Sequence, residues 1–407
     1  MNQAIALFVF IPFCKIKCTY CDFNAYANLA RVMEPYADAV ALEILNSKFI
    51  IRNSARSVYF GGGTPSLISI QHIEKILRAC EARFAFARDI EITLEANPAT
   101  ADETKLRAYR ALGINRLSIG VQAFDDAALR RLNRGHTVAD AIEMFELARR
   151  AGFDNISLDF IYGLPLQSLA DWRATLTRAI ALAPEHLSLY ALKIEEHTGL
   201  EHQIARGKYP KPDDDIAADM YELAAEMLAA NGYAQYEISN WRLEIGSWKL
   251  DVGGSIPTSN VQFPISNLQS PTSNFQSQHN LTYWHNEPYL GFGAGAHSYF
   301  ARARFWNVLS PIEYIEKIAR GESAVAGREE IHREMEIAET MFLGLRLNEG
   351  IAFENFAQRF GEDARVRYAE RLRELQELKL IDMSDARVWL TPRGRLLSNE
   401  VFWRFLP

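Results

Sequence analysis

Residues 5–21 read Ile5-Ala6-Leu7-Phe8-Val9-Phe10-Ile11-Pro12-Phe13-Cys14-Lys15-Ile16-Lys17-Cys18-Thr19-Tyr20-Cys21. The first part is a short, continuous apolar run, which predicts a buried strand over Ile5–Phe10. No Lys or Arg precedes the run and no small-residue cleavage site follows it, so it does not read as a signal-peptide core. Three thiols follow as C-x3-C-x2-C. The chain has 4 cysteines, and the remaining one is Cys80. Thiols gathered at one strand end are not the staples of a disulfide framework, and they suit a reducing, cytoplasmic compartment. Thiolates hold iron–sulfur clusters, and a four-iron cluster held wholly by protein takes four of them. Three leave one iron open, and an open position is what separates reactive from structural metal sites. Three of four zinc ligands is the alternative, although no second Cys/His pair follows at finger spacing.

Outward from this stretch, apolar β-rich runs alternate with helical patterns. Strands are predicted over Ile5–Phe10, Ser57–Phe60, Ile90–Glu95, Arg116–Gly120, Ile156–Ile161 and His186–Tyr190. Helices are predicted over Pro35–Ser47, Ile70–Phe84, Thr100–Leu112, Thr137–Ala151 and Leu169–Leu182. Cys80 falls in the apolar spacing Ile73, Ile76, Leu77, Cys80 and reads as a small buried hydrophobe. This alternation gives an α/β fold, a complete or partial (β/α)6 barrel with its chemistry at the C-terminal ends of the strands. The cysteine loop follows the first predicted strand and Gly61-Gly62-Gly63-Thr64-Pro65 the second. Glu95 ends the third, Gln122 lies just past the fourth, and Asp159 is near the end of the fifth. One rim therefore collects the polar and glycine-rich features.

The hydrophobic fraction of 48% and charged fraction of 23% are those of a globular protein. A net charge of −7 argues against nucleic acid as a partner, since such surfaces need clustered cations. No apolar run is long enough to span a bilayer.

The barrel with its cluster loop and following helical segment is assigned to residues 1–240. Residues 241–278 form an insertion, in which Ser259-Asn260-Val261-Gln262-Phe263-Pro264 is echoed by Ser266-Asn267-Leu268-Gln269-Ser270-Pro271. Proline and the missing apolar seam exclude a coiled coil, and the segment reads as an exposed low-complexity loop. Residues 279–325 are expected to pack on the barrel. Residues 326–407, helical with a strand pair near Leu380–Thr391, read as a smaller C-terminal α+β, winged-helix-like domain with no basic stripe for DNA.

Glycines directly after a strand let the backbone approach a ligand closely. Glu95, Gln122, Arg134 and Asp159 are the next candidates. Asp159 interrupts the apolar strand Ile156-Ser157-Leu158-Asp159-Phe160-Ile161, and a buried carboxylate needs a partner or a ligand. A structural pair with Arg134 and a ligand-binding role are both open.

The cysteine triplet together with Gly61-Gly62-Gly63-Thr64-Pro65 resembles radical S-adenosylmethionine (SAM) proteins, and the wording is closest to the coproporphyrinogen III dehydrogenase-like branch. Leu94-Glu95-Ala96-Asn97-Pro98, Gly120-Val121-Gln122, Leu132-Asn133-Arg134-Gly135-His136 and Asp159-Phe160-Ile161-Tyr162-Gly163-Leu164-Pro165 resemble that branch too. The resemblance covers nearly the whole chain apart from the insertion. It implies that Cys14, Cys18 and Cys21 hold a [4Fe–4S] cluster whose open iron takes the amino and carboxylate groups of SAM. It implies that Gly62, Gly63 and Thr64 line the methionine end, and that Glu95, Gln122, Arg134, Asp159, Tyr20 and Lys193 contact the cofactor. Radical chemistry would then start with one electron from the cluster, the cofactor carrying the hard step. Phe8 and Phe10 depart from the family's Tyr and His.

Two features separate the branch's subgroups. The dehydrogenases carry a fourth cysteine two residues after the third, where this chain has Phe23, and a long segment ahead of the cluster. His279-Asn280-Leu281-Thr282-Tyr283-Trp284 resembles the HNxxYW signature of the heme-chaperone subgroup. The resemblance thus implies a protein that binds heme and passes it to respiratory-chain hemoproteins. It also implies an electron donor for the cluster and peripheral membrane contact through those acceptors. The alternative is conversion of coproporphyrinogen III to protoporphyrinogen IX. Histidine is the commonest proximal heme ligand. Among His279, His285, His297, Tyr283 and Tyr299, His279 is the heme-ligand candidate, with a packing role as its alternative.

Overall fold

The computed structural model describes residues 4–48, 54–244 and 275–407. The Ser/Asn/Gln/Pro repeat lies outside these residues. Six parallel strands run in chain order: β1 (Ile5–Ile11), β2 (Ser54–Gly62), β3 (Ala85–Ala96), β4 (Arg116–Gln122), β5 (Ile156–Tyr162) and β6 (His186–Ala191). Further strands extend this sheet at both sides: β7 (Tyr233–Glu237), β8 (Asn240–Leu243), β9 (Tyr289–Phe292), β10 (His297–Phe300), β11 (Ala303–Asn307) and β12 (Val325–Glu330). The spatial order is β12-β11-β10-β9-β1-β2-β3-β4-β5-β6-β8-β7. Only β9 joins the parallel set, beside β1; the other additions are antiparallel. The sheet has two separate edges, β12 and β7, so it is an open, partial (β/α)6 barrel, as the alternation predicts.

The crossover helices form where the spacing places them, over Met33–Leu45, Ile70–Arg83, Glu103–Ala111, Val138–Arg150 and Leu169–Ala181. Ser69, Asp102, Thr137 and Ser168 cap four of them, Thr137 and Ser168 in capping boxes with Asp140 and Asp171. Their apolar stripes and the strands share one large core, in which Cys80 is fully buried. A short helix over Asp126–Arg131, absent from the expected elements, fills the connection after β4.

The C-terminal part builds its own core from Ile337, Met341, Phe353, Phe356, Leu375 and Val388, among others. Helix Arg333–Gly344, strand Ile351–Ala352, further helices and the pair Ile381–Met383 and Arg387–Leu390 follow in the order of a winged helix. Among the described residues, no helix is long and apolar enough to cross a membrane.

Candidate cluster and cofactor site

The cysteine loop and the glycine run are stitched together by main-chain hydrogen bonds. Gly63 N–H donates to the Ile11 carbonyl at 2.8 Å, and Thr64 N–H to the Phe13 carbonyl at 2.8 Å. A Cβ on Gly63 would lie 2.7 Å from the Phe13 oxygen, so the approach needs glycine. Gly62 has φ +113°, a conformation that side chains resist. Phe8 and Phe10 pack beneath Gly61 and Gly62 as filling.

All three thiols are unpaired and half-buried. Cys14 Sγ lies 3.5 Å from Thr64 Oγ1, and Arg134 Nη1 donates to Cys18 Sγ at 3.4 Å. Burial pushes the Cys14 thiol up, and the Cys21 thiol up to about 11. Metal coordination reverses that, since a coordinating thiol is deprotonated outright. No three His, Cys, Asp or Glu side chains among the described residues converge to hold a single ion.

Cys14, Cys18, Cys21, Tyr20, Gly62, Gly63, Thr64, Glu95, Gln122, Arg134, Asp159 and Lys193 all line one cavity of about 420 Å³. Residues from β2 to β6 and from the loop after β1 thus meet where the sequence places the rim. Glu95 accepts from Tyr59 Oη at 2.8 Å and from Gly62 N–H at 3.1 Å. Burial, reinforced by nearby Asp159, raises its carboxyl to about 7. Asp159 accepts from Ser118 Oγ at 2.7 Å and Ser157 Oγ at 2.9 Å, and burial raises it as well. The partners of both are hydroxyls and one amide rather than cations. Lys193 stands exposed at the mouth, paired with Glu195 at 2.7 Å. Gln122 takes φ +68°, turning the chain at the strand end.

Two expectations change. Arg134 does not pair with Asp159; it donates to Cys18, to Asn97 Oδ1 at 2.5 Å and to the Gly120 carbonyl at 2.6 Å. His279 is buried, outside the cavity lining. Its Nδ1 is 3.0 Å from Ser57 Oγ and its Nε2 2.9 Å from Tyr283 Oη, while its ring stacks on Tyr59. Both nitrogens are engaged and burial lowers its pKa to about 3, so in this conformation it is a packing residue with no nitrogen free for a heme iron.

Asn97 holds a place the residue-by-residue reading missed. Its Nδ2 donates to Thr64 Oγ1 at 2.8 Å while its Oδ1 accepts from Arg134, tying the glycine cradle to the arginine. Its position in Leu94-Glu95-Ala96-Asn97-Pro98 was the available signal. Deeper in the lumen, Arg116 is buried, donating to Asn155 Oδ1 at 2.8 Å and to the Phe275 carbonyl at 3.0 Å. Its signal was a cation opening an apolar strand.

The donor set fits a cluster with SAM. Three thiolates, two half-buried carboxylates and a glycine cradle suit a ligand with an ammonium, a sulfonium and ribose hydroxyls. The buried hydroxyl of Thr93 and Nε of Arg134 have no protein partner, which leaves polar groups for a ligand to meet.

A partial barrel with this rim is a radical SAM scaffold. Residues 8–179 match the radical SAM superfamily and residues 331–397 the HemN C-terminal domain. The heme chaperone HemW of Bacillus subtilis is 35% identical over 98% of this chain and 98% of that protein. HemW of Mycobacterium tuberculosis is 33% identical, covering 98% and 94%. The mitochondrial radical S-adenosyl methionine domain-containing protein 1 of Bos taurus is 32% identical, covering 88% and 76%. Among solved structures, Escherichia coli coproporphyrinogen III oxidase (HemN), a radical SAM enzyme, superposes with a TM-score of 0.81 at 23% identity, over 99% of this chain and 90% of that one. The chain belongs to the radical SAM superfamily, in the family of the HemW proteins.

Proposed function

We propose that this protein is a heme chaperone on a radical SAM scaffold, binding heme and delivering it to respiratory hemoproteins from the cytoplasmic side. The observation that carries the reading is near-full-length similarity to proteins named heme chaperones, from both Bacillus subtilis and Mycobacterium tuberculosis. Phe23, at the position of the dehydrogenases' fourth cysteine, supports it. Coproporphyrinogen dehydrogenation is the second reading, favoured only by the shared fold.

In this reading Cys14, Cys18 and Cys21 hold the [4Fe–4S] cluster. Gly62, Gly63 and Thr64 cradle the methionine end of SAM, with Tyr20, Glu95, Gln122, Arg134, Asp159 and Lys193 around the rest. When bound, the cluster supplies the electron that an electron donor has delivered to it. Arg134 steadies Cys18 by a charge-assisted hydrogen bond, and Asn97 fixes Arg134 and Thr64 relative to each other. Glu95 and Asp159 offer acceptors inside the cavity. Peripheral membrane contact would follow from the acceptors' location.

Mixing the heme-loaded protein with the heme-free form of a respiratory hemoprotein tests the reading. The acceptor's own absorbance should appear as the donor's declines. Full retention of heme by the donor would count against delivery.

A further inference from the structure

The mouth of the cavity carries a surface that the cluster and cofactor roles leave unused. Ile16 and Phe23 of the cysteine loop, with Tyr190 and Leu192 at the end of β6, line it together. Phe23 is 62% exposed, Tyr190 42% and Ile16 41%. Single exposed apolar side chains are ordinary, but a set gathered around one cleft marks a binding surface. Lys15 and Lys17 flank Ile16 and are exposed. Both line the same mouth, as does Lys193.

This rim is held in place before any ligand arrives. Thr19 N–H donates to the Leu132 carbonyl at 3.0 Å, and Leu200 N–H to the Thr19 carbonyl at 2.7 Å. Asn133 Nδ2 donates to the Lys17 carbonyl at 2.9 Å. A preorganised surface loses little ordering entropy on binding.

We propose that this rim is the platform for heme, an inference that rests on the reading of heme as the cargo. The apolar macrocycle lies against Ile16, Phe23, Tyr190 and Leu192, and its two carboxylates meet the ammonium groups of Lys15 and Lys17. Apolar contact flanked by cations complements a flat, dianionic, otherwise apolar molecule. An anionic bilayer is the competing occupant; the apolar side chains surround the mouth of a cleft, which suits one small flat molecule better than a membrane surface. Heme seated here roofs the cofactor cavity, so bound heme slows the escape of SAM.

The test is an anaerobic heme titration of the reconstituted full chain, read by heme absorbance, for the wild type, Phe23→Ser and Lys15→Glu/Lys17→Glu. Phe23→Ser should weaken heme about tenfold, the effect of removing one well-packed aromatic anchor. The lysine double variant should weaken heme and reverse its salt dependence, compared with the wild type at equal cluster iron content. If the wild type takes up no heme, the chaperone reading itself fails. If the wild type binds heme and both variants bind it equally well, the platform is wrong while the reading stands. Should Phe23→Ser lose its cluster, the exposed lysine pair alone decides. Vesicles of phosphatidylglycerol form the last arm: variants that lose vesicle binding but keep wild-type heme affinity would overturn the platform in favour of a membrane surface.

Discussion

Arg134 donates its Nη1 hydrogen to Cys18 Sγ at 3.4 Å, across a loop that chain order separates by more than a hundred residues. The same guanidinium binds Asn97 and the Gly120 carbonyl, so its position is fixed on three sides. A cluster held by Cys18 would therefore sit beside a fixed positive charge. Hydrogen bonds to sulfur and nearby charge both set cluster potentials. Arg134→Met should lower the reduction potential of the reconstituted cluster by on the order of 50 mV, since it removes a charge-assisted hydrogen bond. Potentiometric titration checks this, and an unchanged potential would separate Arg134 from the cluster.

Gly63 is the point where the cradle touches the cysteine strand. In Gly63→Ala the new methyl would lie 2.7 Å from the Phe13 oxygen and 2.9 Å from the Ile11 oxygen. Backbone must move, and those oxygens accept the bonds that join the two loops. The variant should bind SAM at least about tenfold more weakly, the effect of losing one or two such bonds. Equilibrium binding of SAM to the reconstituted variant reads the effect, and wild-type affinity would contradict it.

Glu95 in the cavity and Glu43 on helix Met33–Leu45, which accepts from Gly293 N–H, Asn307 Nδ2 and Tyr314 Oη, give the ligand-free protein a specific pH response. Burial raises each to about 7, from 4.5 in the unfolded chain. Below about 4.5 both states are protonated and the two groups are neutral in their effect. Between about 4.5 and 7 the unfolded chain releases protons that the fold retains, so stability falls as pH rises. Above about 7 the loss is complete, at most roughly 3 kcal/mol per group. Denaturant unfolding of the apo-protein should show this decline, and Glu95→Gln should reduce it. A stability that rises through this window in Glu95→Gln and wild type alike would contradict the assignment.

His279 should matter for the fold rather than for heme. His279→Ala removes hydrogen bonds with Ser57 and Tyr283 and a stacked ring from a buried site, and should cost about 2–4 kcal/mol. Heme affinity of the folded variant should match the wild type. Loss of heme binding with unchanged unfolding would restore His279 as a ligand.

The barrel was legible because its six strands are buried runs separated by amphipathic, capped helices, as in Ile156–Tyr162 followed by Leu169–Ala181. The flanking antiparallel strands were less so. Val325–Glu330 is almost wholly exposed, and a short edge strand carries no apolar alternation to read. The rim residues were legible as a set, since most lie at or just beyond the C-terminal part of a strand. Their partners were not. Whether Asp159 faces Arg134 or a ring of serines depends on how the sheet curls, which no spacing records. His279 shows the same limit, because a histidine within a sequence signature carries no mark of its burial.

The central claim is tested most directly by anaerobic reconstitution with iron and sulfide, followed by heme titration and a coproporphyrinogen III assay on one preparation. Stoichiometric heme binding without protoporphyrinogen IX is the predicted result. Multiple turnovers of coproporphyrinogen III, or a cluster that survives replacement of Cys14, Cys18 and Cys21 by alanine, would contradict it.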